Sequence, residues 1–222
     1  MSSPSANGRV LTATVDLPES HTLKVYRKHG GYEALEIALG KSPDEVIDLV
    51  KRSGLRGRGG AGFPTGTKWG FVPKATDKPK YLCVNADESE PGAFKDRLLC
   101  AKDPHQVIEG TLIGAYAIGA RRAYIYIRGE FAHECDVMQA AIDEARAAGL
   151  VGKNILGKGF NVKIPQKLIK PVRLPAGIKQ SLEIQGMKIA LEVKPTGLLV
   201  ASDRLWYGAD ITLETAKPPV AP

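Results

Sequence analysis

Two short stretches of this 222-residue chain hold residue types whose spacing suits chemistry. The first, Gly57-Arg58-Gly59-Gly60-Ala61-Gly62, fits the pattern G-x-G-x-x-G letter for letter. Five glycines between Gly54 and Gly62 let backbone amides approach a flat or anionic ligand closely, with Arg56 and Arg58 at hand for phosphate. Phe63-Pro64-Thr65-Gly66-Thr67-Lys68-Trp69 continues the loop with aromatic faces that suit a planar ring and a lysine that suits a phosphate or an electron-rich ring edge. Core packing is the competing use for Trp69 and Phe71. The second stretch, Asn85-Ala86-Asp87-Glu88-Ser89-Glu90-Pro91-Gly92, gathers three carboxylates in an otherwise basic protein. Carboxylates accept from ribose hydroxyls or from ring N–H groups. They also suit Mg²⁺ or Ca²⁺, but the spacing of a calcium loop is absent, and a solvated turn is the plain alternative. His21, His29, His105 and His133 lie in no HExxH pattern and beside no nucleophile motif, so neither a zinc site nor acyl transfer is supported.

The elements around these stretches decide which chemistry is open to them. A dinucleotide-binding fingerprint needs a strand before its first glycine and an acidic residue about twenty positions on. Here Ser42-Pro43-Asp44-Glu45 reads as a capping box opening a helix through Val46, Leu49 and Val50 to Ser53-Gly54, and the acidic residue would be Asp77, in a polar turn. A standard Rossmann site is therefore excluded, and an amide-rich loop remains. An earlier helix is predicted from Gly31 to Leu39. Tyr81 to Val84 reads as a buried strand whose C-terminal end delivers the acidic turn, the position where ligands collect in open α/β sheets. Asp103-Pro104-His105-Gln106 repeats the capping pattern ahead of Val107, Ile108, Leu112 and Ile113, which puts His105 in the first turn of a helix. Ala123 to Ile127 is a second strand, and Ala132 to Ala148 a long helix closed by Gly149. Strand, helix, strand, helix predicts an α/β unit with an open, mainly parallel sheet and flanking helices. From Ser181 onward, apolar and polar residues alternate between turn signals at Gln185-Gly186, Pro195 to Gly197 and Gly208, which predicts a small antiparallel β segment.

Composition bounds the rest. Hydrophobic residues at 43% and charged residues at 25% exclude a collagenous, coiled-coil or wholly disordered chain. No apolar run reaches the roughly 20 residues of a membrane span, and the N-terminus has no secretory apolar core, so a cytosolic protein is expected. Cys83, Cys100 and Cys135 suit neither a disulfide framework nor a CxxC site and are predicted to be buried thiols. Of the net charge of +7, the last 62 residues supply nine basic against five acidic side chains. Lys163, Lys167, Lys170, Arg173 and Lys179 lie there among prolines, without interleaved aromatics or an amphipathic helix. A solvated linker is expected rather than a nucleic-acid or lipid-binding arm. The predicted organisation is an extended lead-in over residues 1–22, an α/β core over 23–160, a basic Pro-rich linker over 161–180 and a β-meander of unassigned role over 181–222.

Taken in order, SGLRGRGGAGFPTGTKWGFVPK, KYLCVNADESEPGAFKDR, DPHQVIEG and AYIYIRGEF closely resemble the NADH-binding flavoprotein (F) subunit of respiratory complex I, NADH-quinone oxidoreductase. HTLKVYRKHGGYEALEIAL resembles this family's lead-in, and the likeness runs from about Arg9 to Phe160. NAD-linked hydrogenase and formate dehydrogenase subunits share the same core. The resemblance implies FMN and NAD(H) as cofactors, hydride transfer from NADH to FMN, and onward electron flow through iron–sulfur partners. Carried over by position, Gly57, Arg58, Gly59 and Gly60, with Ala61 and Gly62, line the FMN site, and Lys68, Asn85 and Asp87 bond its ring or ribityl chain. Gly60, Phe63, Lys68 and Glu90 meet NADH. It further implies other peripheral-arm subunits as partners, above all the 2Fe-2S (E) subunit, and a cytoplasmic place at the inner face of the plasma membrane. No metal ligand, nucleic-acid partner or direct membrane insertion is expected. The family's second glycine-rich stretch, GAGAYICGEETAL, has no counterpart after Phe160, and the sequence from Asn161 on matches no recognised part of the family. The cysteine ligands of the family's 4Fe-4S cluster are not among these residues, so that cluster is not expected. The alternative to an enzyme component is a truncated remnant or assembly module that keeps the fold without a complete flavin pocket.

Overall fold

In a computed structural model of the chain, the described residues are 9–165 together with the strands at 178–184, 187–200 and 205–215. Two compact units are present, Met1–Gln166 and Lys167–Pro222. The first contains α1 (Leu23–Lys28), α2 (Glu33–Leu39), α3 (Pro43–Arg52), α4 (Thr65–Gly70), β1 (Tyr81–Ala86), α5 (Lys95–Lys102), α6 (Pro104–Ile118), β2 (Arg122–Ile127), α7 (Ala132–Ala147), β3 (Gly152–Ile155) and β4 (Phe160–Val162).

Local chemistry sets the helix ends. The Ser42 side chain accepts from the Glu45 amide while the Glu45 carboxylate accepts from the Ser42 amide at 2.7 Å, so two otherwise unpaired N–H groups at the start of α3 are satisfied, with Pro43 in its first turn. Asp103 accepts from the Gln106 amide at the start of α6, and Gly119 ends it in the left-handed region. Ile108, Leu112 and Ala115 of α6 are fully buried, and the helix touches α1 to α5, α7, β1, β2 and β4. It is the core of the unit.

β1 and β2 pair in parallel without a slip, from Tyr81 opposite Arg122 to Ala86 opposite Ile127. The connection between them carries α5 and α6, the crossover a parallel pair requires. Lys163 forms a parallel bridge with Arg122, and Ala123 donates to the Lys163 carbonyl at 3.0 Å, extending the sheet by one short edge. β3 and β4 form an antiparallel hairpin. The architecture is thus α/β, with a small parallel sheet and flanking helices. Val162 and Ile164, inside the interval expected as linker, are buried in this core.

The second unit is an antiparallel sheet of β5 (Ile178–Ile184), β6 (Met187–Val200) and β7 (Leu205–Thr215), in that order. The turns expected at Pro195 to Gly197 and at Gly208 do not form. Pro195 pairs with Ala209 and Gly197 with Gly208 across a register shift, so a bulge absorbs the residues that read as turn signals. The turn signal at Gln185-Gly186, residues 166–177 of the expected linker and residues 1–8 of the lead-in lie outside the described residues.

Three further expectations are corrected. Cys83 is exposed and Cys135 half-buried, leaving Cys100 as the buried thiol, its pKa pushed up to about 12 by burial first and by Asp96 next. β1 is correspondingly not a buried strand. Its residues alternate with Tyr81, Cys83 and Asn85 on an open face, because the sheet is covered by helices on one side only among the described residues. Third, α5 was not anticipated: its stretch Lys95-Asp96-Arg97 is polar, and apolar periodicity is nearly absent from it.

Two buried carboxylates fasten segments distant in sequence. Glu109 of α6 accepts from the Tyr26 hydroxyl, from the Tyr32 amide at 2.9 Å and from the Leu35 amide at 2.8 Å, joining α1 and α2 to the core helix. Burial, then the Glu109 charge, raises the pKa of both Tyr26 and Tyr32, so both phenols stay protonated. Glu88, 3% exposed, accepts from the Asp96 and Arg97 amides at 3.0 and 3.2 Å and caps α5, whose own N-cap residue supplies no side-chain bond.

Glu109→Ala should cost about 3 kcal/mol in urea denaturation, because three buried donors lose one acceptor group. A loss below roughly 1 kcal/mol would show that water replaces it. For Glu88, burial pushes the carboxyl pKa up, but the Asp96 and Arg97 amides together with Lys95 outweigh it and leave it lowered. The unfolded state then binds the proton more readily than the folded one, so the stability Glu88 contributes is present above about pH 4.3 and is lost as the pH falls through its folded value. Glu88→Gln is expected to destabilise by about 2 kcal/mol at neutral pH, with the gap to the parent narrowing in acid. A gap independent of pH would refute the charged cap.

Candidate functional site

The glycine-rich loop hangs between α3 and α4 and is closed at its base. Arg56 and Pro64 form an antiparallel bridge, the Gly57 amide donates to the Phe63 carbonyl at 2.9 Å, and the Thr65 amide donates to the Leu55 carbonyl at 2.8 Å. Inside that closure, the amides of residues 58–62 donate to no acceptor among the described residues. Gly60 has φ +100°, a conformation that side-chain-bearing residues rarely adopt, and no atom lies within 4 Å of the Cβ position at Gly59, Gly60 or Gly62. The loop therefore presents a run of free donors to open space, the arrangement that binds anions. Arg56 is partly committed, donating to the Gly62 carbonyl at 3.3 Å, while Arg58 makes no hydrogen bond or ion pair among the described residues.

Packing fixes where the loop leaves the body. At Gly66 a Cβ would lie 2.5 Å from the Lys51 amide nitrogen, so only glycine lets α4 come this close to α3. Trp69 turns to the core beside Gly114 of α6, its Cζ2 3.2 Å from that glycine's Cβ position. Phe71 turns outward, 70% exposed, with its ring centroid 6.1 Å from that of Phe63, itself exposed. The two uses considered for the aromatic stretch are thus divided: Trp69 packs, and Phe63 with Phe71 forms an outward pair. Lys68 is exposed on α4.

The acidic turn follows β1 at the C-terminal edge of the parallel pair. Asn85 Oδ1 accepts from the Asp87 amide at 2.9 Å, an Asx turn that leaves the Asn85 NH₂ group free to donate. Asp87 and Glu90 are exposed, and Glu90 accepts weakly from the Ser89 amide at 3.3 Å. Between them Glu88 points inward. Arg128, just beyond β2, donates to the Glu88 carbonyl at 3.0 Å and to Glu130 at 2.8 Å, and its guanidinium lies 6.0 Å from the Phe131 ring centroid. Arg128 thereby ties the turn after β1 to the turn after β2. Neither Arg128 nor the structural role of Glu88 was singled out from the sequence, although RGEF directly after an apolar strand marks the equivalent edge position.

Gly57, Arg58, Gly59, Gly60, Ala61, Gly62 and Phe63 share one loop, and Lys68 follows on the next helix. Asn85, Asp87 and Glu90 share the other turn. No described hydrogen bond or ion pair joins the two groups. Their common support is α6, where Trp69 of α4 and Leu82 of β1 both flank Gly114. Among the described residues no cluster of His, Cys, Asp and Glu suits a metal ion, and no helix is long and apolar enough to cross a membrane.

The chain is 59% identical over 156 residues to the second F subunit of NADH-quinone oxidoreductase in Rhizobium meliloti, covering 70% of this chain and 37% of that protein. It is 56% identical over 147 residues to the F subunit of NADH-quinone oxidoreductase in Aquifex aeolicus, covering 66% and 34%. It thus spans about a third of the length of the curated relatives it matches. In three dimensions it is similar to a chain of an NAD+-reducing NiFe-hydrogenase in the H2-reduced state, with a TM-score of 0.52 and 32% identity over 70% of this chain and 24% of that one. The profile of the Nuo51 FMN-binding domain matches residues 50–194, running past Asn161, where the likeness was expected to stop. With more than half of its length matched in this way, the chain belongs to the Nuo51 FMN-binding domain family.

Proposed function

We propose that this chain binds FMN and NADH and serves hydride transfer from NADH to FMN, as part of an NADH:quinone oxidoreductase. The observation that carries this reading is the run of unpartnered amides at residues 58–62 around open space, within a domain of a flavin-binding family. Donors without intramolecular acceptors fit a phosphate and the oxygen-rich edge of a flavin, so the residues present suit the group. FMN, when bound, supplies a hydride acceptor.

The chain's own residues bind and orient. Gly57, Arg58, Gly59, Gly60, Ala61 and Gly62 cradle the FMN phosphate and ring with backbone N–H groups and the Arg58 guanidinium. Lys68 donates to the ring or ribityl oxygens. Asn85 donates through its free NH₂, and Asp87 accepts from hydroxyl or ring N–H groups. Gly60, Phe63, Lys68 and Glu90 meet NADH, with the absent side chain at Gly60 leaving room for two stacked rings and Glu90 accepting from ribose hydroxyls. Glu90 is an NADH-positioning residue; no side chain need exchange a proton with the nicotinamide for a hydride to pass.

The same reading extends to partners and organisation. The cofactor-binding core runs from residue 23 through the buried Val162 and Ile164, and the strands β5 to β7 are an appended β segment of unassigned role. Other peripheral-arm subunits, with the 2Fe-2S (E) subunit foremost, take the electrons on, and the chain works in the cytoplasm, peripheral to the inner face of the plasma membrane. A 4Fe-4S cluster is not assigned to these residues.

The test is anaerobic: the purified full chain is loaded with FMN, freed of excess, and its visible absorbance followed as NADH is added. Retained flavin that bleaches supports the reading; a colourless protein with native circular dichroism would refute it in favour of an assembly module. Gly60→Val should weaken FMN at least tenfold by filling the open space and straining φ +100°. Glu90→Gln should raise the Kd for NADH about tenfold and leave FMN unchanged, and equal losses for both ligands would remove its assigned role.

A further inference from the structure

The opposite edge of the parallel sheet holds a second concave site. A cleft of about 430 Å³ opens at Tyr81 and Arg122, the first paired residues of β1 and β2. Lys74, Lys78, Lys80, Arg121, Arg122 and Lys163 line it, and no carboxylate does. Four inter-residue steps of β1, roughly 13 Å, separate Tyr81 at this edge from Asn85 at the start of the acidic turn.

Two plain accounts of the charge fall short. Ion pairing explains Lys74, whose Nζ lies 2.6 Å from Asp44. Among the described residues it explains none of the other five, and Asp77, although in the same loop, neither lines the cleft nor pairs with them. The C-terminus of α6 also ends here: the Lys80 Nζ lies 3.6 Å from the Cβ position of Gly119, the residue that closes the helix. That terminus carries only about half a negative elementary charge, against five cations.

The arrangement is built rather than scattered. The loop over residues 74–80, the start of β2 and the edge segment at Lys163 come from three parts of the chain. Backbone bonds hold two of them together: the Lys163 amide donates to the Arg121 carbonyl at 3.1 Å, and Lys163 bridges Arg122. Lys80 also donates to the Lys74 carbonyl at 3.3 Å, which folds the loop back on itself. A cleft lined by one sign of charge focuses its field on a counter-ion. Its size falls within the span of small-ligand sites, about 300–1,000 Å³. Several negative charges in so compact a space fit a polyphosphate, whereas the carboxylates of an extended peptide are spread over about 3.3 Å per residue. The two arginines present planar forks suited to phosphate oxygens.

We infer that this cleft is a binding site for a polyphosphate chain, distinct from the proposed FMN and NADH site. The anion is either an inorganic polyphosphate or the phosphate tail of a nucleotide.

Calorimetric titration of the full chain with inorganic tripolyphosphate at low ionic strength tests it. With FMN and NADH in excess to occupy the glycine-rich loop, one site per chain is expected, weakening with added salt. Arg121→Glu with Lys163→Glu should weaken it by at least thirtyfold, and the neutral pair Arg121→Gln with Lys163→Gln by about tenfold, each with unchanged circular dichroism. Arg58→Ala and saturating NADH should leave it unaltered. Adenosine triphosphate binding more tightly than tripolyphosphate assigns the site to a nucleotide, and equal affinity assigns it to the phosphate chain alone. Binding indifferent to both cleft variants, lost in Arg58→Ala or displaced by NADH would overturn the site, as would tighter binding of an oligoglutamate peptide, which would make it a protein-docking surface.

Discussion

Packing the rest of the first unit around one largely buried helix is the constraint on which that unit depends. Ten of the fifteen residues of α6 are buried, and such a helix can neither leave a buried polar side chain without a partner nor be packed by a single neighbour. Thr111 donates to the Val107 carbonyl of the helix itself, and the other buried polar groups draw partners from other segments. Asp103 receives the Thr14 hydroxyl, Glu109 receives donors from α1 and α2, and His105 lies 2.9 Å from the Tyr32 hydroxyl and 3.1 Å from Glu144 of α7. Burial lowers the His105 pKa against the opposing pull of Glu144, and it raises that of Asp103 against its hydrogen bonds. The apolar surface of α6 drives collapse; its polar groups decide which segments collapse onto it, and in what order round the helix.

The site inherits its placement from that helix. Gly114 is small enough for Trp69 of α4 and Leu82 of β1 to close over it together. The glycine-rich loop is the approach to α4, and the acidic turn is the exit from β1. Two stretches more than twenty residues apart are thus fixed to one rigid support, the arrangement a binding site needs if its geometry is to survive thermal motion. The parallel pairing adds polarity. It brings the Asn85 to Glu90 turn beside Arg128 and Glu130 at one edge, and Tyr81 beside Arg122 at the other. The carboxylates of the acidic turn thus stand at one end of the small sheet and the basic cleft at the other.

Features decided within a few residues of sequence were legible in advance. The Ser42 capping box, the Asp103 start of α6, the strands at Tyr81 and Ala123 and the helix closed by Gly149 follow from neighbours three or four positions apart. The glycine-rich loop was legible as an amide-rich turn for the same reason, and the helix ahead of it correctly ruled out a Rossmann arrangement. What escaped depends on partners far along the chain. Glu109 reads as an ordinary helical carboxylate until Tyr26, 83 residues away, is placed against it. Glu88 reads as one more charge in a solvated turn until α5, itself invisible to apolar periodicity, presents two amides to it. Cys83 was misread because a short apolar strand carries no sign of whether one face or both will be covered. Pro195 to Gly197 and Gly208 were misread because turn-forming residues also serve a bulge, and only the pairing partner tells the two apart.

The division of labour between the acidic turn and the glycine-rich loop follows from how each treats its hydrogen bonds. In the turn, Glu88, Arg128 and the Asn85 carboxamide oxygen spend theirs within the protein, which removes conformations and leaves Asp87, Glu90 and the Asn85 NH₂ displayed on a fixed frame. In the loop, the two bonds at the base are made and the amides beyond them are not. Free amides on an exposed loop are solvated by water, so leaving them unpaired costs little, whereas the same groups buried without partners would cost about 1–3 kcal/mol each. The loop can therefore remain ready for an acceptor only while it stays open to solvent, and an acceptor that enters must replace each water bond it displaces. Bulky or β-branched residues would fill that space or forbid the positive φ at Gly60. Glycine at these positions is thus the means of holding a row of donors outward without collapse onto the protein's own carbonyls.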